Sequence, residues 1–308
     1  MLIRQNAFIE TGNKMLKGGL HCHTTRSDGA MDPGDCIRLH AENGYDFLSL
    51  TDHRYYNYAT YAPETDVLIV PGMEIDANIS NNKGMCFHTV SLGSDNENNL
   101  FRQDERVDSA LVSDQSEFQP MVDNLRNHGN IAFYCHPDWS RTPARSFENI
   151  EGYFAMEIWN SGCAIETDTD FDNGPFWDEI LVQSKKLNCV AVDDGHAQHQ
   201  HCKGWVRVNA EKKVTSILDA LENGAFYSSC GPEIYDFCVE DNVASIKCSP
   251  CRMIHFMYGL VPTHIVKPAK GELLTEAKTE FGRDWTYIRA VVEDEQGRRA
   301  WTNPIWLK

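Results

Sequence analysis

The chain has 308 residues, 42% of them hydrophobic and 24% charged, the balance of an ordinary globular protein of one large domain or a medium one with a small companion. Acids outnumber bases by 45 to 28, a formal charge of −17, which argues against a nucleic-acid binder needing a basic face. No run approaches eighteen apolar residues, so no transmembrane helix is expected, and the opening MLIRQNAFIETGNK has no apolar core of a leader.

Taken in order, GGLHCH (18–23) is a short strand candidate. Asp32-Pro33 then starts a helix with proline at its first position, and Gly44 stops it. DFLSLTDH (46–53), VLIVPGMEI (67–75) and CFHTVSLG (86–93) read as the next three strands. A helix over 117–128 ends at Gly129. IAFYCHP (131–137) and FAMEIWN (154–160) are strands, a helix over 175–187 precedes the strand CVAVDDGH (189–196), and a last helix covers 213–223. Strand alternating with helix predicts βαβ units and a parallel sheet buried on both faces. About seven such strands favour a closed or nearly closed barrel.

From residue 233 the texture changes to short β-type runs between turn residues, with Asp294-Glu295-Gln296-Gly297 as a hairpin loop and one further helical stretch at 273–281. The organisation expected is a barrel over 1–231 and a small all-β, sandwich-like unit over 232–308, joined tightly near Pro232. The eleven cysteines are an odd number in a chain long enough to do without disulfides, which predicts reduced thiols in a cytoplasmic protein. Cys248 and Cys251 form a lone Cys-x-x-Cys, short of the four ligands of a structural zinc site.

Ten of the twelve histidines lie between His21 and His201. His21 and His23 end the first strand, His53 follows LSLTD, Glu74 follows LIVPG, His88 lies in CFHTV, His136 ends IAFYC, and Asp194 and His196 end CVAVD. Parallel α/β folds collect ligands at the carboxyl ends of their strands, so these groups are expected on one rim. Burying so many polar groups together is costly without compensation, and imidazole with carboxylate suits Zn, Mn or Fe. His21 and His23, two apart on a strand, point the same way, with Cys22 turned to the opposite face. The number of donors exceeds one ion, and two or three divalent metals are expected.

These residues resemble a known family. His21-Cys22-His23-Thr24-Thr25-Arg26-Ser27-Asp28-Gly29 is similar to the HxHTxxSDG motif of the PHP (polymerase and histidinol phosphatase) superfamily. Thr51-Asp52-His53, Pro71-Gly72-Met73-Glu74, His88, His136-Pro137 and Asp194-Gly195-His196 follow in the family's order. The surrounding wording and the terminal TNPIWL resemble the stand-alone members labelled CehA/McbA-like. The resemblance covers roughly 15–230 and implies a distorted (β/α)7 TIM-like barrel with a trinuclear site. It implies one metal on His21, His23, Glu74 and Asp194, a second on Glu74, His88 and His136, and a third on Asp28, His53 and His196. Asp193 is passed over in favour of Asp194 by the family's Asp-x-His spacing.

The activity so implied is hydrolysis, most often of a phosphoester, by a metal-bridging hydroxide. Glu74 and Asp194 are the catalytic carboxylates. Arg141, first, and Arg26 are candidates to grip phosphate, with Arg54 beside them. The substrate expected is small and anionic, a phosphorylated or nucleotide-like molecule, with no membrane partner and at most a short oligonucleotide end. The same chemistry serves a carboxylic ester, carbamate or amide, which is the competing reading.

Overall fold

The computed structural model describes residues 2–79, 86–94, 97, 99–113, 115–147, 149–170, 172–260, 264–282 and 284–308. It is a mixed α/β molecule with three sheets and few helices. No described helix is long and apolar enough to cross a membrane.

Two of the sheets form the walls around the predicted rim. One carries, in spatial order, Asn188–Val192, Tyr153–Asn160, Asn130–Tyr134, Cys86–Gly93, Gly72–Ile79 and Ala110–Val112. The other contains Trp205–Asn209, Met15–Gly19, Phe47–Leu48 and Leu68–Ile69 side by side. Isolated parallel bridges join them at the rim, Cys22 to Gly195 and His53 to Glu74. Below, an apolar core of Leu16, Phe47, Val70, Val90, Phe133, Val190, Val192 and Val206 fills the space between the walls. These are the continuous apolar runs of the sequence, covered on their outer side by helices such as Val214–Glu222.

The expected parallel order fails in the second wall, where Trp205–Asn209 runs antiparallel to Met15–Gly19, and at one strand of the first. Cys86–Gly93 runs antiparallel to both Gly72–Ile79 and Asn130–Tyr134. Only residues 80–85 separate the first two, whereas a parallel crossover needs roughly a dozen residues or more. The run 67–75 is also two strands, broken at Pro71, and Glu74 stands in the second of them. Proline donates no ladder hydrogen bond, which accounts for the break.

The helix expected from Asp32-Pro33 covers Pro33–Glu42, with the Asp32 side chain accepting from the Gly34 amide. The stretch 273–281 is not a helix. Leu274–Glu280 is a strand pairing with Val243–Cys251. Its alternation of exposed and buried positions puts Ala277 and Thr279 inward, a period of two rather than 3.6.

After residue 232 the regular elements among the described residues are all strands. Ile234–Glu240, Val243–Cys251 and Leu274–Glu280 form a separate sheet, with Leu2–Arg4 added at its edge. Met253–Met257, Tyr287–Glu293 and Arg299–Thr302 instead extend the sheet that contains Trp205–Asn209 and Met15–Gly19, because Arg299–Thr302 pairs with Phe226–Ser229. The hydrogen-bond ladder thus runs unbroken past Pro232. A core of Ile234, Phe237, Ile246, Ile254, Phe256, Ile288, Val292 and Ile305 lies between the two sheets. Arg289, fully buried, reaches back to the helix Gly174–Leu181. It donates to Asp178 from Nε at 2.9 Å and from Nη2 at 2.6 Å, and the Tyr287 hydroxyl donates to the same carboxylate at 3.0 Å.

Candidate metal centre

Glu74 is the hub of the rim. Its Oε2 lies 3.3 Å from His21 Nε2, 3.2 Å from His23 Nε2 and 3.0 Å from His53 Nδ1. Its Oε1 lies 2.9 Å from His88 Nδ1 and 3.5 Å from His136 Nε2. Five imidazoles therefore surround one carboxylate that is 1% exposed. Yet Oε2 and His53 Nδ1 are both buried without a hydrogen-bond partner among the described residues. Their approach is close but not aligned for a proton to sit between them.

Asp194 is the second hub, 3.3 Å from His21 Nε2 and 3.0 Å from His23 Nε2 through Oδ1. Asp28 completes the arc, 3.5 Å from both His53 and His196 and 3.7 Å from His23. All nine residues predicted as ligands thus converge. Their donor atoms fall into groups: His21, His23, Glu74 and Asp194; His23, Asp28, His53 and His196; Glu74, His136 and Cys135. Cys135 was not foreseen beside them.

The antiparallel strand explains His88. Because Cys86–Gly93 runs the other way, its amino end reaches the rim, and His88 sits near that end opposite Asp76. Two candidate ligands, His136 and Asp194, hold left-handed backbone, φ 29° and 47°. Such conformations persist where the surroundings impose them, and they gather at functional sites. Here the Asp194 amide donates to the His21 carbonyl at 2.9 Å and the His136 amide to Glu157 Oε2 at 2.9 Å.

Burial alone would push the Glu74 carboxyl up, but the imidazoles of His21, His88 and His53 hold it well below the carboxylate range. Burial likewise works against a charged His23, and the carboxylates of Asp194 and Glu74 overcome it, raising His23 to about 9. The Asp28 carboxyl, despite partial burial, is lowered by His196, His23 and His53. The cluster thus contains matched opposite charges held out of water, the electrostatic condition for exchanging protons for cations.

Glu157 was missed by sequence reasoning. Its Oε1 lies 2.7 Å from His21 Nδ1, and its Oε2 accepts from Asn160 Nδ2 at 2.8 Å. The available signal was a lone acid inside the apolar run YFAMEIWN. Thr24 and Ser27 both donate to Asp52, whose carboxylate also accepts the Thr24 amide at 2.8 Å. Thr24 shapes the turn, while the Ser27 hydroxyl also reaches Asp28 Oδ1 at 3.1 Å and His23 Nδ1 at 3.5 Å. Cys22 turns away from His21 and His23 into an apolar cluster with Cys36 and Ile37. Asp193 points away from Asp194 and accepts the amides of Cys202, Lys203 and Gly204.

The arginines divide. Arg141 has a side chain 77% exposed and lies 3.6 Å from Asp138. It is Trp139, on the same loop, whose ring stands 4.9 Å from His136 and 5.9 Å from His88. Arg26 is held by Asn57 and Asp104. Arg54 and Arg106 line a cleft of about 230 Å³ with Ser27, Asp28, His53 and Tyr55, directly beside the donors. A larger cavity of about 550 Å³ lies at the amino ends of the strands and includes none of the candidate site residues.

No family model matches the chain, and no curated protein matches it. Among solved structures it is similar to a two-domain protein containing a predicted PHP-like metal-dependent phosphoesterase from Bacteroides vulgatus. That likeness is 15% identity over 96% of each chain, with a TM-score of 0.49. It is also similar to a candidate metal-dependent phosphoesterase from Bifidobacterium adolescentis, at 12% identity over 58% of this chain and 87% of that one, TM-score 0.41. A third is an amidohydrolase from Chromobacterium violaceum with bound sulfate and no metal, at 15% identity over 59% of this chain and 88% of that one, TM-score 0.39.

Proposed function

We propose that this chain is a metal-dependent hydrolase of the PHP superfamily, acting on a phosphoester of a small or nucleotide-like molecule at a site for two or three divalent ions. The walls described above are then those of a distorted (β/α)7 barrel, and residues 232–308 its small β unit. The observation that carries the reading is Glu74, a buried carboxylate with five imidazoles around it and one oxygen without a proton to accept. Hydrogen bonds do not satisfy that arrangement. Divalent cations do, and imidazole with carboxylate is the donor chemistry of Zn, Mn or Fe.

Three sets of residues would hold the ions: His21, His23, Glu74 and Asp194; Glu74, His88 and His136; and Asp28, His53 and His196. Ions bound there supply Lewis acidity and positive charge for hydrolysis near neutral pH. The chain's own residues do the rest. Glu74 and Asp194 supply compact negative charge at the centre. Glu157 holds His21 with its Nε2 toward the centre, and Ser140, 3.0 Å from His136 Nδ1, does the same for His136. Arg54 and Arg106, on the wall of the adjoining cleft, attract an anionic group toward Asp28 and His53 in a chain otherwise strongly acidic.

The test is a rate screen of metal-replete protein against phosphomonoesters, phosphodiesters and carboxylic esters, paired with elemental analysis. Phosphoester turnover that disappears with chelator and returns with metal supports the reading. Turnover of carboxylic esters alone replaces the substrate class and keeps the metal centre.

A further inference from the structure

On the far side of Cys22 and Asp193 lies a second group of donors that hydrolysis does not use. Cys36 and His40 stand four residues apart on one face of the helix Pro33–Glu42, and His201 follows the short turn Gln198–Gln200. One ligand-capable atom of each lies within 4.8 Å of the others, and all three residues are buried. Asp193 borders the group, its Oδ2 3.5 Å from His40 Nε2 while also accepting the Cys202 amide at 2.7 Å.

The hydrogen bonds of this group are incomplete among the described residues. His40 Nδ1 lies 2.8 Å from the Cys36 carbonyl and so donates its proton there, which leaves Nε2 with a free lone pair. That Nε2 and both nitrogens of His201 are buried without a hydrogen-bond partner among the described residues. A His40–Asp193 hydrogen bond would require both His40 nitrogens to be protonated, and it would leave His201 unexplained. The His201 ring is also closely seated, since a Cβ on Gly195 would stand 2.5 Å from its Nδ1.

We propose that Cys36, His40, His201 and Asp193 form a closed zinc site beneath the rim, separate from the donors around Glu74. One thiolate, two imidazoles and a carboxylate in a sealed place make a four-coordinate set of the kind zinc takes. The 3.5 Å separation of His40 Nε2 from Asp193 Oδ2 is close to the roughly 3.4 Å edge of a tetrahedron with ligands at about 2.0–2.1 Å. The ion would tie the helix Pro33–Glu42 to the segment carrying Asp194 and His196.

The test is cobalt(II) loading of the full-length protein after metal removal, read by absorption. A thiolate ligand gives a strong near-ultraviolet charge-transfer band that nitrogen and oxygen ligands do not. Cys135, which shares a donor group with Glu74 and His136, is the control for thiols at the rim. The expected result is a band in the wild type, lost in Cys36→Ser, kept in Cys135→Ser and Glu74→Gln, with zinc content one ion lower in Cys36→Ser. Should Cys36→Ser not fold, His201→Gln is to show the same loss of one zinc. No thiolate band in the fully loaded wild type, or a band that Cys135→Ser removes, overturns the site, and neither result bears on the centre at Glu74.

Discussion

Glu157 Oε1 lies 2.7 Å from His21 Nδ1, with both side chains fully buried. That contact places the His21 proton on Nδ1 and leaves Nε2 bare toward Glu74 and Asp194. Through its other oxygen the same carboxylate accepts the His136 amide, so one strand residue orients two neighbouring strand ends. Glu157→Gln keeps the shape and removes the charge. Metal affinity is expected to fall about 10–100-fold with the fold unchanged, as read by chelator competition and circular dichroism. Unaltered affinity would mean that packing alone orients His21.

Glu74→Gln removes the central charge while preserving volume. An amide cannot pair with cations on both sides, so bound metal is expected to drop and turnover to vanish, with an unchanged far-ultraviolet spectrum. A metal-replete, active Glu74→Gln protein would defeat the proposed mechanism.

Arg54 and Arg141 are expected to behave differently. Arg141 is a solvated side chain, and Arg141→Ala should leave phosphoester turnover within about twofold, as for most surface changes. Arg54→Ala, at the cleft beside His53, should cost about 10–100-fold, the ~1.5–3 kcal/mol of a lost charge-assisted contact, with metal content unchanged. The reverse ranking would put the anion over the loop of residues 137–141.

His23 sets a pH dependence. Its pKa is raised to about 9 against burial by Asp194 and Glu74. In metal-free protein the bound proton stabilises the fold fully below pH ~6.5, and that contribution is lost as pH climbs through about 9. A cation competes for the same nitrogen, so metal affinity should rise over that interval. Calorimetry with and without metal at pH 6.5 and 9 reads both trends. Affinity independent of pH would remove His23 from the ligands.

The rim was legible because its chemistry is written as residue types at strand ends, and strand ends are marked by the apolar runs before them. His21, His53, His136 and Asp194 could be placed this way without knowing which strand neighbours which. Direction was not legible. Nothing in CFHTVSLG states which way the strand runs, and its reversal follows from the short link before it. Arg141 shows a second limit. The sequence put its loop over the site, but which side chain turns inward depends on local backbone, here a left-handed φ of 54° at Arg141, and Trp139 takes the inward place. Glu157 was hidden for a third reason: a buried acid inside an apolar strand has meaning only once its partner is known.

Arg289 and Asp178 test the tight junction between the two parts of the chain. Arg289→Met should destabilise the protein by about 3–5 kcal/mol, because it strands the buried Asp178 carboxylate. Urea denaturation measures it, and the loss should appear as one transition shifted as a whole. Two separated transitions would mean that the strands after residue 232 unfold independently of the sheets around Glu74.

The strand Leu2–Arg4 completes a sheet whose other members begin at Ile234. Its neighbour Gln5 donates to the Gly224 carbonyl, 219 residues away in sequence. During synthesis, then, this segment leaves the ribosome more than two hundred residues before its partner strand Ile234–Glu240 is made. The walls around Glu74 can assemble while that edge still waits, which leaves an open strand edge on the nascent chain over that whole interval.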